Sequence, residues 1–189
     1  MQTDMETAIT DAICVYGASS SKIATVYKEA ARLTGRLIAL AGRPLVCGGG
    51  HGGLMAEAIE GASSEGGLTV GVLPEFMVER QWQHPELGRM IITTGMHQRK
   101  QTMASLSSAA IALPGGVGTL EELLEIITWR QLGLFKGNVT ILNVAGYYDP
   151  LLAMLERTID QRFMRPGSHD LWHTASTPEE AVEISISGK

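Results

Sequence analysis

The chain has 189 residues, of which 44 % are hydrophobic and 19 % charged, enough for one domain with a sizeable core and too apolar for a disordered chain. Its net charge of −5 excludes general nucleic-acid binding, which depends on a basic surface to displace counterions. The two cysteines, Cys14 and Cys47, fall in apolar runs and read as small core residues, neither a disulfide framework nor a metal site.

In chain order, residues 1–11 are polar and acidic, without the basic and apolar regions of a signal peptide. A strand is expected over 12–16, a helix over 24–40, a strand over 44–47 and a helix over 54–64. A strand over 69–73 ends at Pro74, and the irregular stretch 74–88, with Glu79, Trp82, His84 and Glu86, reads as a lid or rim. Then come a strand over 90–93, a helix over 98–107, a strand over 109–113, a helix over 119–132, a strand over 139–143 and a helix over 150–163. Gly133 reads as the end of the 119–132 helix. The tail after Arg165 is expected to be peripheral, with Pro178-Glu179-Glu180-Ala181 opening a short helix. No apolar stretch approaches the ~20 residues that span a bilayer.

This alternation predicts an α/β, Rossmann-like doubly wound parallel sheet with helices on both faces. The chain, 1–189, is expected to be a single nucleotide-binding domain with its core over about 12–165. Ligands of such sheets bind beyond the carboxyl ends of the strands, and the glycine-rich loops here all follow strands.

Residues 114–122, Pro-Gly-Gly-Val-Gly-Thr-Leu-Glu-Glu, carry the most information. The glycines let the chain bend and bring bare N–H groups to a ligand, and the following helix adds roughly half a positive charge at its start. That suits a phosphate. Glu121 and Glu122 would repel an anion unless they act on a group attached to it, such as a sugar. Both carboxyls, near the helix start, are expected to have lowered pKa values. Residues 48–53 match the spacing Gly-x-Gly-x-x-Gly after a strand, with Glu75 placed as a ribose partner. A nicotinamide site, glycines for close packing only, and a mononucleotide pocket are the three readings of that loop. Arg99 and Lys100, in Met96-His97-Gln98-Arg99-Lys100, oppose a helix dipole unless an anion or acidic groups such as Glu121 or Glu122 offset them; the alternative is a solvated basic pair. The histidines lack metal-ligand spacing, and none of the lysines sits where a Schiff base is required.

Taken together, residues 48–55, MHQRK with Met103, and PGGVGTLEE resemble the LONELY GUY (LOG) family of cytokinin riboside 5′-monophosphate phosphoribohydrolases. The resemblance runs from about Ile13 to about Arg162, and the stretches 129–133 and 143–148 share it. It implies a cytoplasmic hydrolase that works as a dimer or higher homo-oligomer. Its small-molecule substrate would be AMP or an N6-substituted analogue such as isopentenyladenosine monophosphate, split into free base and ribose 5-phosphate. No cofactor, metal, nucleic acid or membrane is implied. By the same resemblance Arg99 and Glu122 are the catalytic residues, and Gly115, Gly116, Gly118 and Thr119 hold the phosphate. Glu121 faces the ribose or shares the catalytic role, Lys100 helps hold the phosphate, and Ser20, Gly50 and Met55 line the nucleotide pocket. Relatives tend to carry a Glu where this chain has Gln81. The alternatives are a non-catalytic nucleotide or molybdenum-cofactor carrier, an NAD(P)-dependent enzyme, and a hydrolase of broader base range.

Overall fold

Strand β1 (Ala12–Tyr16) is buried at every position, so its neighbours must cover both of its faces. In the computed structural model, which describes residue 9 and residues 11–187, they do. The elements that follow are α1 (Thr25–Leu40), β2 (Leu45–Cys47), α2 (Gly53–Ser64), β3 (Thr69–Pro74), α3 (Glu75–Glu79), β4 (Arg89–Thr93) and α4 (Met96–Ser105). Next come β5 (Ser107–Ala112), α5 (Val117–Gln131), β6 (Asn138–Leu142), α6 (Asp149–Asp160), β7 (His173–Ala175) and α7 (Pro178–Ser187). The strands form one seven-stranded sheet in the order β4-β3-β2-β1-β5-β6-β7, parallel throughout.

Side chains alternate across each strand and split the core in two. Cys14, Tyr16, Val72, Ala110 and Ile141 face one layer, closed by Met103 of α4, Leu123 and Ile126 of α5, and Leu155 of α6. Ile13, Val15, Cys47 and Ile111 face the other, closed by Ile38 of α1, Leu54 and Ile59 of α2, and Val182 of α7. Helices α1 and α2 cross closely: a Cβ on Gly35 would lie 2.0 Å from the Ala58 carbonyl oxygen, and one on Gly61 2.0 Å from that of Arg32. The doubly wound α/β architecture expected from the sequence is thus present.

One expectation fails. The tail is not peripheral: β7 pairs with β6, Trp172 and Ala175 are buried, and α7 packs Ala181 and Val182 into the core. The helix expected at Pro178 is α7. Residues 1–8 and 10 lie outside the described residues, so the reading of the N-terminus stays untested there. Among the described residues no helix is long and apolar enough to cross a membrane.

The strand order reverses between β1 and β5, and that is where the loops converge. Ala18 N–H, after β1, donates to Pro114 O, after β5, at 3.1 Å. A turn after β6 braces the second loop. Tyr148 OH donates to Leu113 O at 2.7 Å and Tyr147 OH to Gly115 O at 2.8 Å. Asn143 holds this turn by accepting from Tyr148 N–H at 2.7 Å.

Candidate active site

A cavity of about 410 Å³ opens at this switch point, beside a second of about 340 Å³; Ser19, Met55, Met77 and Arg99 line both. Their sizes are those of small-ligand pockets. The first runs from Ser20 past Gly116, Gly118 and Thr119 to Glu121 and Glu122. Helix α5 starts against it with Gly116 as its N-cap and no capping side chain. The N–H groups of its first turn have no partner inside the helix, and the dipole adds positive potential there. Gly116 and Gly118 have open space where a Cβ would be, so packing does not demand glycine at either position. A ligand brought against bare backbone would.

The opposite wall is Arg99 of α4, only 5 % exposed. Its Nε donates to Val72 O at 2.9 Å and its Nη1 to Glu122 Oε1 at 3.0 Å. A Cβ on Gly48 would lie 1.9 Å from Arg99 Nη2, so glycine here is what admits the guanidinium. Gly48→Ala is therefore expected to displace Arg99 from Glu122 while leaving the sheet intact. Loss of one charged hydrogen bond is expected to cost about 1.5–3 kcal/mol of stability. Thermal melting and circular dichroism of the variant check both halves.

Lys100 points away from the first cavity. Its ammonium pairs with Glu121 and, at 3.1 Å, with Glu125. It lines neither cavity and is held by carboxylates, which keep its pKa raised against the opposing effect of burial. The cations of α4 are thus offset by acidic groups, one of the two offsets expected from the sequence. Glu125 was missed; its spacing four residues after Glu121, on one face of α5, was the available signal.

Gly115 sits just before the start of α5. Its carbonyl is held by Tyr147, and its missing Cβ makes room for Thr119, whose Oγ1 would lie 2.1 Å away. It shapes the loop behind the first cavity and does not line it. Gly50, with Met55, lines the second cavity, whose further walls are Leu73, Met77 and Trp82.

Two of the amides at the start of α2, after the loop 48–53, are bonded within the chain. Leu54 N–H donates to Ala18 O at 2.8 Å and Gly53 N–H to Ser21 Oγ at 3.2 Å. Gly53 and Leu54 therefore present no free N–H to a ligand.

The Glu122 carboxyl is raised above the ordinary 4.5, first because it is buried, with Arg99 pulling it back down and Glu121 pushing it up. This corrects the expectation of a lowered value. Helix α5 begins at Val117, so Glu122 stands in its second turn, where the dipole has faded. Cys14 and Cys47 are both buried, as expected; burial pushes the Cys47 thiol up to about 11 and keeps it un-ionised.

Fold and site together define a Rossmann-like α/β protein with a ligand crevice at the β1/β5 switch point and a buried Arg–Glu pair in its wall. Residues 55–184 match the family model described as "Possible lysine decarboxylase". The "Probable cytokinin riboside 5'-monophosphate phosphoribohydrolase LOGL2" of Oryza sativa subsp. japonica is 40 % identical over 171 residues, covering 90 % of this chain and 70 % of that protein. Arabidopsis thaliana LOG3, a cytokinin riboside 5′-monophosphate phosphoribohydrolase, is 39 % identical over 171 residues, covering 90 % and 80 %. The chain belongs to the LOG family. Among solved structures, the molybdenum cofactor binding protein of Rippkaea orientalis superimposes with a TM-score of 0.74 at 26 % identity, covering 94 % of this chain and 96 % of that one. The Moco carrier protein of Chlamydomonas reinhardtii, at 24 % identity and a TM-score of 0.72 over 94 % and 96 %, shares the fold.

Proposed function

We propose that the protein hydrolyses the N-glycosidic bond of AMP or an N6-substituted AMP, giving the free base and ribose 5-phosphate. The observation that carries this is the buried Arg99–Glu122 pair facing the uncapped start of α5 across one cavity. The names of the plant relatives support it. With it go a small-molecule substrate, a homo-oligomer of two or more copies and a cytoplasmic location.

In this reading the phosphate lies on the first-turn amides of α5, at Gly116, Gly118 and the Thr119 hydroxyl, with Ser20 across the loop. The base reaches toward Gly50 and Met55. Glycosidic cleavage builds positive charge on the ribose ring, which an adjacent carboxylate stabilises. Ionised Glu122 faces the ring and accepts a proton from the attacking water. The water oxygen bonds to C1′, the C1′–N bond breaks, and the leaving nitrogen takes its proton from solvent. Arg99 is permanently charged and orients Glu122 without donating a proton. Glu121, held by Lys100, lies at the ribose side.

The test is chromatography of AMP and isopentenyladenosine monophosphate after incubation with the protein. Free base and ribose 5-phosphate are the expected products, and no base release from either overturns the reading. Adenosine is expected to react at least about 100-fold more slowly than AMP, because two charge-assisted phosphate contacts at about 1.5–3 kcal/mol each are missing. Equal rates would remove the phosphate role from the α5 loop. The likeness to the Rippkaea orientalis protein favours a second reading, a carrier without catalysis. A carrier does not require the Arg99–Glu122 pair, so ligand retention without base release would decide for it.

A further inference from the structure

Residues 76–87 bring Met77 and Trp82 to the wall of the second cavity. Little local structure holds them: α3 has five residues, none of them buried, and Gln81 sits in the left-handed region at φ 57°. The segment is tied instead to the glycine loop after β2. His51 N–H donates to Trp82 O at 3.0 Å and His84 N–H to Gly49 O at 2.8 Å, around an antiparallel bridge between Gly50 and Gln83.

From residue 75 to residue 90 one position is buried, and it is His84, a polar side chain where packing alone would favour a leucine. Both ring nitrogens face partners. Glu86 N–H donates to Nδ1 at 3.2 Å, and Nε2 lies 3.6 Å from Glu60 Oε1 of α2. Glu60 is itself held by Arg32 of α1. The buried imidazole thus sits between the segment's own backbone and α2, while that backbone joins the segment to the loop carrying Gly50.

We propose that His84 is a positioning residue that latches residues 76–87 beside the second cavity and fixes Trp82 as a wall for the base end of the ligand. The ligand part of this rests on the nucleotide reading above; the latch itself does not. His84 lines neither cavity and has no contact with Glu122, so its loss weakens binding without touching the chemical step.

The test compares His84→Ala, His84→Asn and His84→Gln in the full chain by amide hydrogen exchange and by AMP affinity. Affinity is measured calorimetrically in a Glu122→Gln background, where turnover does not interfere. In His84→Ala the amides of residues 51 and 84 are expected to exchange about ten-fold faster or more, with those of Val46 and Ile111 in the sheet unchanged. AMP affinity is expected to fall about ten-fold, with kcat in the otherwise native chain changed less than about three-fold. His84→Asn keeps an acceptor for Glu86 N–H and is expected to restore both, whereas His84→Gln is not. If His84→Ala fails to fold, the Asn and Gln pair carries the comparison. Unchanged exchange in Ala and Gln overturns the latch. Faster exchange with unchanged AMP affinity overturns its role in binding. Faster exchange in a parent that binds no AMP supports the latch and overturns the nucleotide reading instead.

Discussion

Glu122→Gln is expected to lower turnover of AMP by about 10³-fold, the middle of the range for removing a positioned acid or base, with the fold retained at a lowered melting temperature. Structure should survive because the amide is isosteric and its oxygen can still accept from Arg99 Nη1, while Arg99 Nε keeps its bond to Val72 O. Chemistry should not, because an amide neither stabilises a cationic ribose nor accepts a proton from water. The same substitution has a signature in pH. On the proposed mechanism ionised Glu122 is the active form, and burial raises its pKa above 4.5. Activity of the native chain is therefore expected to fall on the acid side at a pH above that of an ordinary glutamate, and the residual activity of Glu122→Gln should lack that limb. Product chromatography across a pH series measures both. Near-native turnover in the variant would move the catalytic role to Glu121. Glu121 is a different kind of group: its side chain is 52 % exposed against 12 % for Glu122, and it is already paired with Lys100.

Most of the sheet could be read from the sequence because its strands are short apolar runs separated by glycine-rich loops. Ala12–Tyr16 and the run ending at Pro74 are short, apolar and bounded by turn residues, and both are buried strands. β7 could not be read: His173-Thr174-Ala175 is short and polar, and it becomes a strand by pairing with Thr140 to Leu142 of β6. The site was legible as two motifs, MHQRK and PGGVGTLEE, and the structure brings Arg99 of one against Glu122 of the other. Partner choice was less legible. Arg99 and Lys100 are adjacent, but neighbours on a helix point about 100° apart, so one lies in the cavity wall and the other on Glu121 and Glu125. Gly48 shows the same limit. Its spacing matches a phosphate loop, yet its absent Cβ serves a guanidinium from a helix far along the chain.

Arg99→Ala is expected to cost more stability than any other substitution in the site. It leaves Glu122 buried without its cation, Val72 O without its donor, and a void beneath Gly48. Removing one partner of a buried ion pair costs about 3–5 kcal/mol, because the remaining charge stays desolvated. For a chain of this size about 1 kcal/mol shifts the melting temperature by roughly 2–4 °C, so a loss of about 6–20 °C is expected. The origin of the loss can be separated from simple loss of packing. If the uncompensated carboxylate is the cause, Arg99→Ala/Glu122→Gln should be more stable than Arg99→Ala alone, and the single variant should recover stability as the pH falls and Glu122 takes up a proton. The sign follows from the group itself: without Arg99 its folded pKa rises further above the unfolded value. Stability is then greatest below the unfolded pKa and is lost as the pH rises toward the folded one. Melting curves of both variants from mildly acidic to neutral pH test this. A pH-independent loss, equal in single and double variants, would make Arg99 a packing residue and leave the carboxylate indifferent to it. The observed geometry argues for the charge: the guanidinium is packed where even one added methyl on Gly48 would collide with it, and it is aimed at Glu122 at hydrogen-bond distance.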